Sequence, residues 1–201
     1  MPGTTASMPE PTAPFEELLD TLKHAAAALR EADVPFVLGG GLAIWARGGP
    51  ETEHDVDFFI RPEDAERGLN ALEEAGFQIE EPPEGWLYKA WRGDVLVDLI
   101  YAPTGLAVDD DFLGRADVLE VQAVRMSVMR AEDVLVAKLL ALREHEVDYD
   151  RVLEIARTVR EQIDWDEVRD RTAESPFARA FFTLVEGLSI VEPAAVASGQ
   201  K

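Results

Sequence analysis

The sequence has no cysteine, which excludes a disulfide scaffold, a cysteine–zinc site and a thiol nucleophile. Histidine is scarce as well. His24, His54 and His145 are the only three, and no two of them have metal-ligand spacing. No Gly-x-Ser-x-Gly elbow marks a serine hydrolase. Basic residues are outnumbered, 19 against 40 acidic, for a net charge of −21. Residues 1–100 carry 20 acidic and 7 basic side chains, and residues 101–201 carry 20 and 12, so neither half offers a basic tail. Bulk binding to a DNA backbone is therefore not expected. No run approaches the length of a membrane span. The first 14 residues hold no apolar core of a secretory signal, so a cytoplasmic protein with no membrane partner is expected.

What is present is enough for a folded domain. The 201 residues are 47% hydrophobic, too apolar for a disordered acidic chain and long enough to bury a core. Phe15, Leu18, Leu19, Leu22, Ala26 and Leu29 recur at helical spacing, predicting a helix from Pro14 to Asp33 that Pro35 ends. Phe36–Leu38 reads as a buried strand, Leu42–Arg47 as a helix and Asp55–Ile60 as a strand. A helix from Pro62 to Ala75 follows, then a short strand at Phe77–Ile79. Trp86–Trp91 and Val95–Tyr101 form a hairpin turning at Arg92-Gly93-Asp94. Asp109-Asp110-Asp111 reads as a helix cap with first-turn acids, and 118–129 as one last extended segment. From Ala131 on, the pattern is helical only: 131–145, 148–162, 164–173 and 176–187. The expected organisation is a loose N-terminus (1–13), an α+β domain built on a mixed sheet with flanking helices (14–129), a helical bundle (130–188) and a flexible tail (189–201).

Three features carry chemistry. Gly39-Gly40-Gly41 lies between a strand and a helix, where backbone can approach an anion closely, although a plain tight turn needs glycine too. It is neither a Walker loop, since no Gly-Lys-Ser/Thr follows, nor a dinucleotide fingerprint, since Ile44 stands where the third glycine would be. In Asp55-Val56-Asp57 the period of two points both carboxylates to one strand face. Such a pair repels unless a cation lies between, and magnesium favours oxygen ligands of this kind; a solvated strand end is the alternative. Asp98 interrupts the apolar strand Val95–Tyr101, where an ionised group needs a partner or a metal unless it sits on an exposed edge.

Gly40-Gly41, 13 intervening residues, Asp55-x-Asp57 and a later strand bearing Asp98 resemble the nucleotidyltransferase fold of the DNA polymerase beta superfamily. The resemblance is closest to its minimal bacterial branch, which includes AbiEii and MenT-like toxins and some antibiotic adenylyltransferases. It covers residues 34–101 well and extends to about 155. It implies a nucleotidyltransferase that moves a nucleoside monophosphate from a nucleoside triphosphate to an acceptor hydroxyl, and a toxin-like role. Asp55, Asp57 and Asp98 would hold two magnesium ions, or manganese, with Asp98 also taking the acceptor's proton. Gly40 and Gly41 would grip the triphosphate. Lys138 and Asp150, a lysine and an aspartate twelve residues apart after the sheet, match the branch's pattern for further nucleotide contacts; Asp148 competes with Asp150, and a lysine snorkelling over the core is the plain alternative. The branch's Arg-x-Thr-x before the acidic pair is replaced by Glu51-Thr52-Glu53-His54. Arg47 is either a substitute for the missing positive charge or a solvated helix-end residue. The acceptor is an RNA end, which a patch of Arg125, Arg130 and Arg143 could hold, or a protein or small molecule, and a protein partner is possible. A nucleotide-binding regulatory or antitoxin-like module of weak activity is the alternative of another class.

Overall fold

The computed structural model describes residues 14–52, 55–83, 85–143 and 147–193. The expected loose N-terminus, Glu53, His54, His145 and the last eight residues of the tail lie outside the described residues.

Helix α1 (Phe15–Glu31) leads into strand β1 (Phe36–Leu38), helix α2 (Gly40–Trp45) and strand β2 (Asp55–Ile60). Helix α3 (Ala65–Glu74), strands β3 (Gln78–Glu80), β4 (Leu87–Arg92) and β5 (Val95–Ile100) and helix α4 (Asp110–Gly114) follow. Strands β6 (Asp117–Val121) and β7 (Val124–Val128) complete one sheet, and helices α5 (Ala131–Ala141), α6 (Asp150–Thr158), α7 (Trp165–Arg171) and α8 (Pro176–Gly187) end the chain. The fold is α+β, as the alternation of patterns implies. Seven strands form a mixed sheet in the order β3-β4-β5-β2-β1-β7-β6. β2 and β5 run parallel, as do β1 and β7, and the other neighbours are antiparallel.

The period-two pattern decides the two faces of the sheet. Val56, Phe58, Ile60, Val97 and Leu99 are buried on one face. There α1 and α3 cover them, with Gly68 of α3 placed so that an added Cβ would touch Ile60, Leu29 and Leu99. Asp55, Asp57 and Asp98 occupy the other face. Toward the far end of that face the Phe59 ring lies 5.7 Å from that of Phe112 on α4. Asp109 caps α4, accepting from the Phe112 N–H at 2.8 Å.

The segment expected to be one extended stretch at 118–129 is a hairpin. Its two turn residues, Gln122 and Ala123, both have positive φ, 51° and 61°. Neither residue type announces such a turn, which glycine or asparagine would fill without strain. Ala123→Gly is expected to raise unfolding stability by about 1 kcal/mol by relieving that conformation, read as a higher midpoint in urea with an unchanged slope.

Helix α5 is buried nearly all round, and α6, α7 and α8 pack against it. Its first turn carries two buried acids, Glu132 (5% exposed) and Asp133 (2%). Asp133 pairs with Arg171 at 2.6 Å and Arg115 at 3.4 Å. Glu132 accepts from the Asp164 N–H at 2.9 Å and pairs with Arg130, which also binds Glu167 at 2.9 Å. The suggested basic patch is therefore not assembled: Arg130 is consumed by this network. Arg143 lies beyond the opposite end of α5, a helix about 16 Å long, and Arg125 belongs to β7. Beyond α8, Val191 is buried against the core and the Ile190 N–H binds Val185 O at 2.9 Å.

Candidate active site

The site is assembled by the pairing of β2 with its two neighbours. On one side β1 pairs antiparallel with β2, and the chain turns out of β1 directly at the glycines. Gly39 N–H donates to Asp57 O at 2.8 Å, and α2 begins at Gly40, earlier than the expected Leu42. Gly40 has φ +56°, and a Cβ there would fall 1.6 Å from Asp57 Oδ2. Glycine is thus required twice over, by backbone conformation and by the carboxylate lying against its Cα. A Cβ on Gly41 would meet Thr52 Oγ1 at 2.6 Å. The first N–H groups of α2, next to Asp57, have no intrahelical acceptors.

On the other side, β5 pairs in parallel register with Asp57 opposite Asp98 and Asp55 opposite Leu96. One oxygen from each of Asp55, Asp57 and Asp98 lies within 4.8 Å of the others. Asp98 is 9% exposed, and its Oδ1 is buried without a hydrogen-bond partner. Burial first, then the Asp55 and Glu80 charges, push the Asp98 carboxyl up to about 7, opposed by Lys89. Asp57 is raised well above the usual carboxylate range by burial and by its two acidic neighbours, while Lys138 pulls it down. Three hard oxygen donors, mutually repelling and with one orphaned atom, are suited to a divalent cation.

The structure brings Gly41 and Lys138 together in a cleft of about 330 Å³ that Thr52 and Arg151 also line. Lys138 is half-buried and its charge reaches Asp57. Asp150 does not join them. It is exposed at the start of α6, its N–H held by Asp148 Oδ1 at 2.9 Å. Arg151, Glu154 and Ile155 line the cleft instead, at the i, i+3, i+4 spacing of one helical face. Sequence reading missed Arg151, and that spacing was the available signal. Arg47 is not solvated, its side chain being 10% exposed. Its guanidinium binds Met129 O at 2.9 Å and Asp117 at 2.7 Å, pinning the end of α2 to the β6–β7 hairpin.

A family profile described as "Uncharacterised nucleotidyltransferase" matches residues 16–186. The chain belongs to this nucleotidyltransferase family. Among solved structures, it is similar to ANT(2'')-Ia in complex with adenylyl-2''-tobramycin, at 17% identity and TM-score 0.60, covering 81% of this chain and 98% of that one. It is also similar to the lincosamide antibiotic adenylyltransferase LnuA, lincomycin-bound, at 13% identity and TM-score 0.50, covering 68% and 92%. JHP933 from Helicobacter pylori matches at 16% identity and TM-score 0.52, over 88% and 79%. No curated protein matches. At these identities the structural likeness speaks for the fold, and the family supports the superfamily rather than the AbiEii and MenT-like branch. The family implies a nucleoside triphosphate substrate. No helix among the described residues is long and apolar enough to cross a membrane.

Proposed function

We propose that this nucleotidyltransferase moves a nucleoside monophosphate from a nucleoside triphosphate to an acceptor hydroxyl, with Asp55, Asp57 and Asp98 holding two magnesium or manganese ions. The observation that carries this is the meeting of three carboxylates from two strands, one oxygen of them buried and unpartnered, against a glycine whose Cβ position the Asp57 carboxylate already occupies. When bound, such ions supply charge neutralisation at the phosphates and acidify the acceptor hydroxyl. The chain's own residues do the rest. Gly40 and Gly41 let the phosphates approach the start of α2. Lys138 holds a phosphate oxygen as a point charge, and Arg151 adds a forked donor from the same cleft. Asp98 accepts the proton of the attacking hydroxyl. In this reading Asp150 serves α6 rather than the nucleotide.

A toxin-like role rests on the sequence resemblance alone. The second reading, a nucleotide-binding regulatory module with little turnover, draws on one observation: Glu51 and Glu154 line the same cleft as Lys138 and Arg151 and oppose their charge.

Calorimetry with each triphosphate, with magnesium and with chelator, tests donor binding, and labelled triphosphate tests turnover. Binding is expected only with the metal. Gly40→Ala, whose methyl displaces Asp57, is expected to lower nucleotide affinity at least about tenfold while the protein stays folded. Binding that ignores both metal and Gly40→Ala would sink the site. Binding without transfer favours the regulatory module.

A further inference from the structure

The same strand pairing that sets the carboxylates together extends past them. β4 places Lys89 opposite Asp98 and Trp91 opposite Leu96, and β3 places Glu80 opposite Lys89 and Gln78 opposite Trp91. Side chains directly opposite share a face. Two rows therefore cross four strands on the face of the sheet that carries the carboxylates: Asp57–Asp98–Lys89–Glu80 and Asp55–Leu96–Trp91–Gln78. The helices α1 and α3 pack on the opposite side, where Arg92 binds Asp20 of α1 at 2.8 Å. Trp91, Leu96 and Lys89 are half-buried, and Glu80 and Gln78 are exposed. The Trp91 indole is held in place: its Nε1–H donates to Glu80 Oε2 at 3.1 Å.

Under the function proposed above, the triphosphate occupies the β1 side of β2, beside Gly40, Gly41 and Lys138. A hydroxyl attacking within reach of Asp98 must then come from the β4 side. We propose that the face floored by Trp91 and Leu96 and bounded by Lys89 and Glu80 seats the acceptor, and that the acceptor is a small ring-bearing hydroxyl compound, neutral or cationic. An indole face flanked by an aliphatic side chain stacks rings at little entropic cost. Charge decides against a polyanion. Lys89 is the one cation in the two rows, and it stands between Glu80 and Asp98 in register, so a phosphate backbone would meet carboxylates on both sides of it. The −21 charge of the whole chain acts the same way.

The test incubates the full chain with magnesium, triphosphate labelled at the α-phosphate and an extract of the source cells. Products are separated into an ultrafilterable small-molecule fraction, RNA and protein. Nucleotide affinity is measured in parallel by calorimetry. Wild-type protein is expected to give a new labelled compound in the small-molecule fraction, resolved by chromatography from the donor triphosphate and its hydrolysis products. Trp91→Ala is expected to cut that labelling about tenfold, as loss of one stacking plate does, with nucleotide affinity unchanged, and Trp91→Phe to restore most of it. Label in RNA or protein above that of extract without the protein, in place of the new small molecule, overturns the proposal. So does transfer by Trp91→Ala at the wild-type rate, or a parallel fall in its nucleotide affinity. Wild-type protein that binds nucleotide and metal but labels nothing also overturns it. Wild-type protein that binds no nucleotide overturns the proposed function itself, and the acceptor face falls with it.

Discussion

Asp98→Asn is expected to abolish transfer while making the metal-free protein more stable. The loss follows from removing both a metal ligand and the proton acceptor, a combined effect of at least about a thousandfold. The gain follows from the raised carboxyl. A group whose pKa is about 7 in the fold, against an ordinary 3.8, folds better protonated than charged. Its favourable contribution is complete below pH 4 and is lost as pH rises through 7. In the presence of chelator, the wild-type protein should therefore melt at a higher temperature at pH 5 than at pH 8. Asp98→Asn should flatten that dependence and gain on the order of 3 kcal/mol at pH 8. Asp57, raised in the same direction, should behave alike as Asp57→Asn. Magnesium should recover stability in the wild type at pH 8 and do far less for either variant. Thermal melts across pH, with and without metal, read all of this. A variant no more stable than wild type at pH 8 would mean that the carboxylates are already relieved by solvent.

The second large effect lies in the helices. Arg171→Met is expected to destabilise the protein by about 3 kcal/mol, because Asp133 is then left buried with only the longer Arg115 contact. Arg171 also binds Glu167 at 2.8 Å, so the loss spreads to the Arg130–Glu167 pair and to the seat of α7 on α5. The double variant Asp133→Leu with Arg171→Met should recover most of the stability, since an apolar pair of similar volume carries no desolvation cost. Denaturant melts of the two singles and the double form the cycle that measures this coupling. Additive losses would show that the two side chains act independently.

These results separate what patterns of residues can say from what only pairing can. Strand Asp55–Ile60 was legible because alternation places its acids and its apolar residues on opposite faces, and the glycine run could be placed because a strand precedes it. The hairpin at 117–128 was not, because Gln122 and Ala123 are poor turn residues that the surrounding sheet forces into positive φ. Arg47 and Arg130 looked like surface charges. The partners that decide their roles, Asp117 for Arg47 and Glu167 for Arg130, are contributed by distant segments, and no local spacing connects them. Arg151, adjacent to Asp150, was not legible because one residue of phase at the start of α6 decides which side chain faces the cleft. Lys89, Trp91 and Glu80 join the site only through the register of three strand pairs.

That register has a consequence for how the protein comes to be active. A slip of β5 by a single residue would turn Asp98 under the sheet toward α1 and α3 and bring Val97 up beside Asp57. The carboxylate cluster is thus a signature of correct threading: a molecule whose β5 is paired one residue out has Asp98 on the wrong face and lacks the cluster.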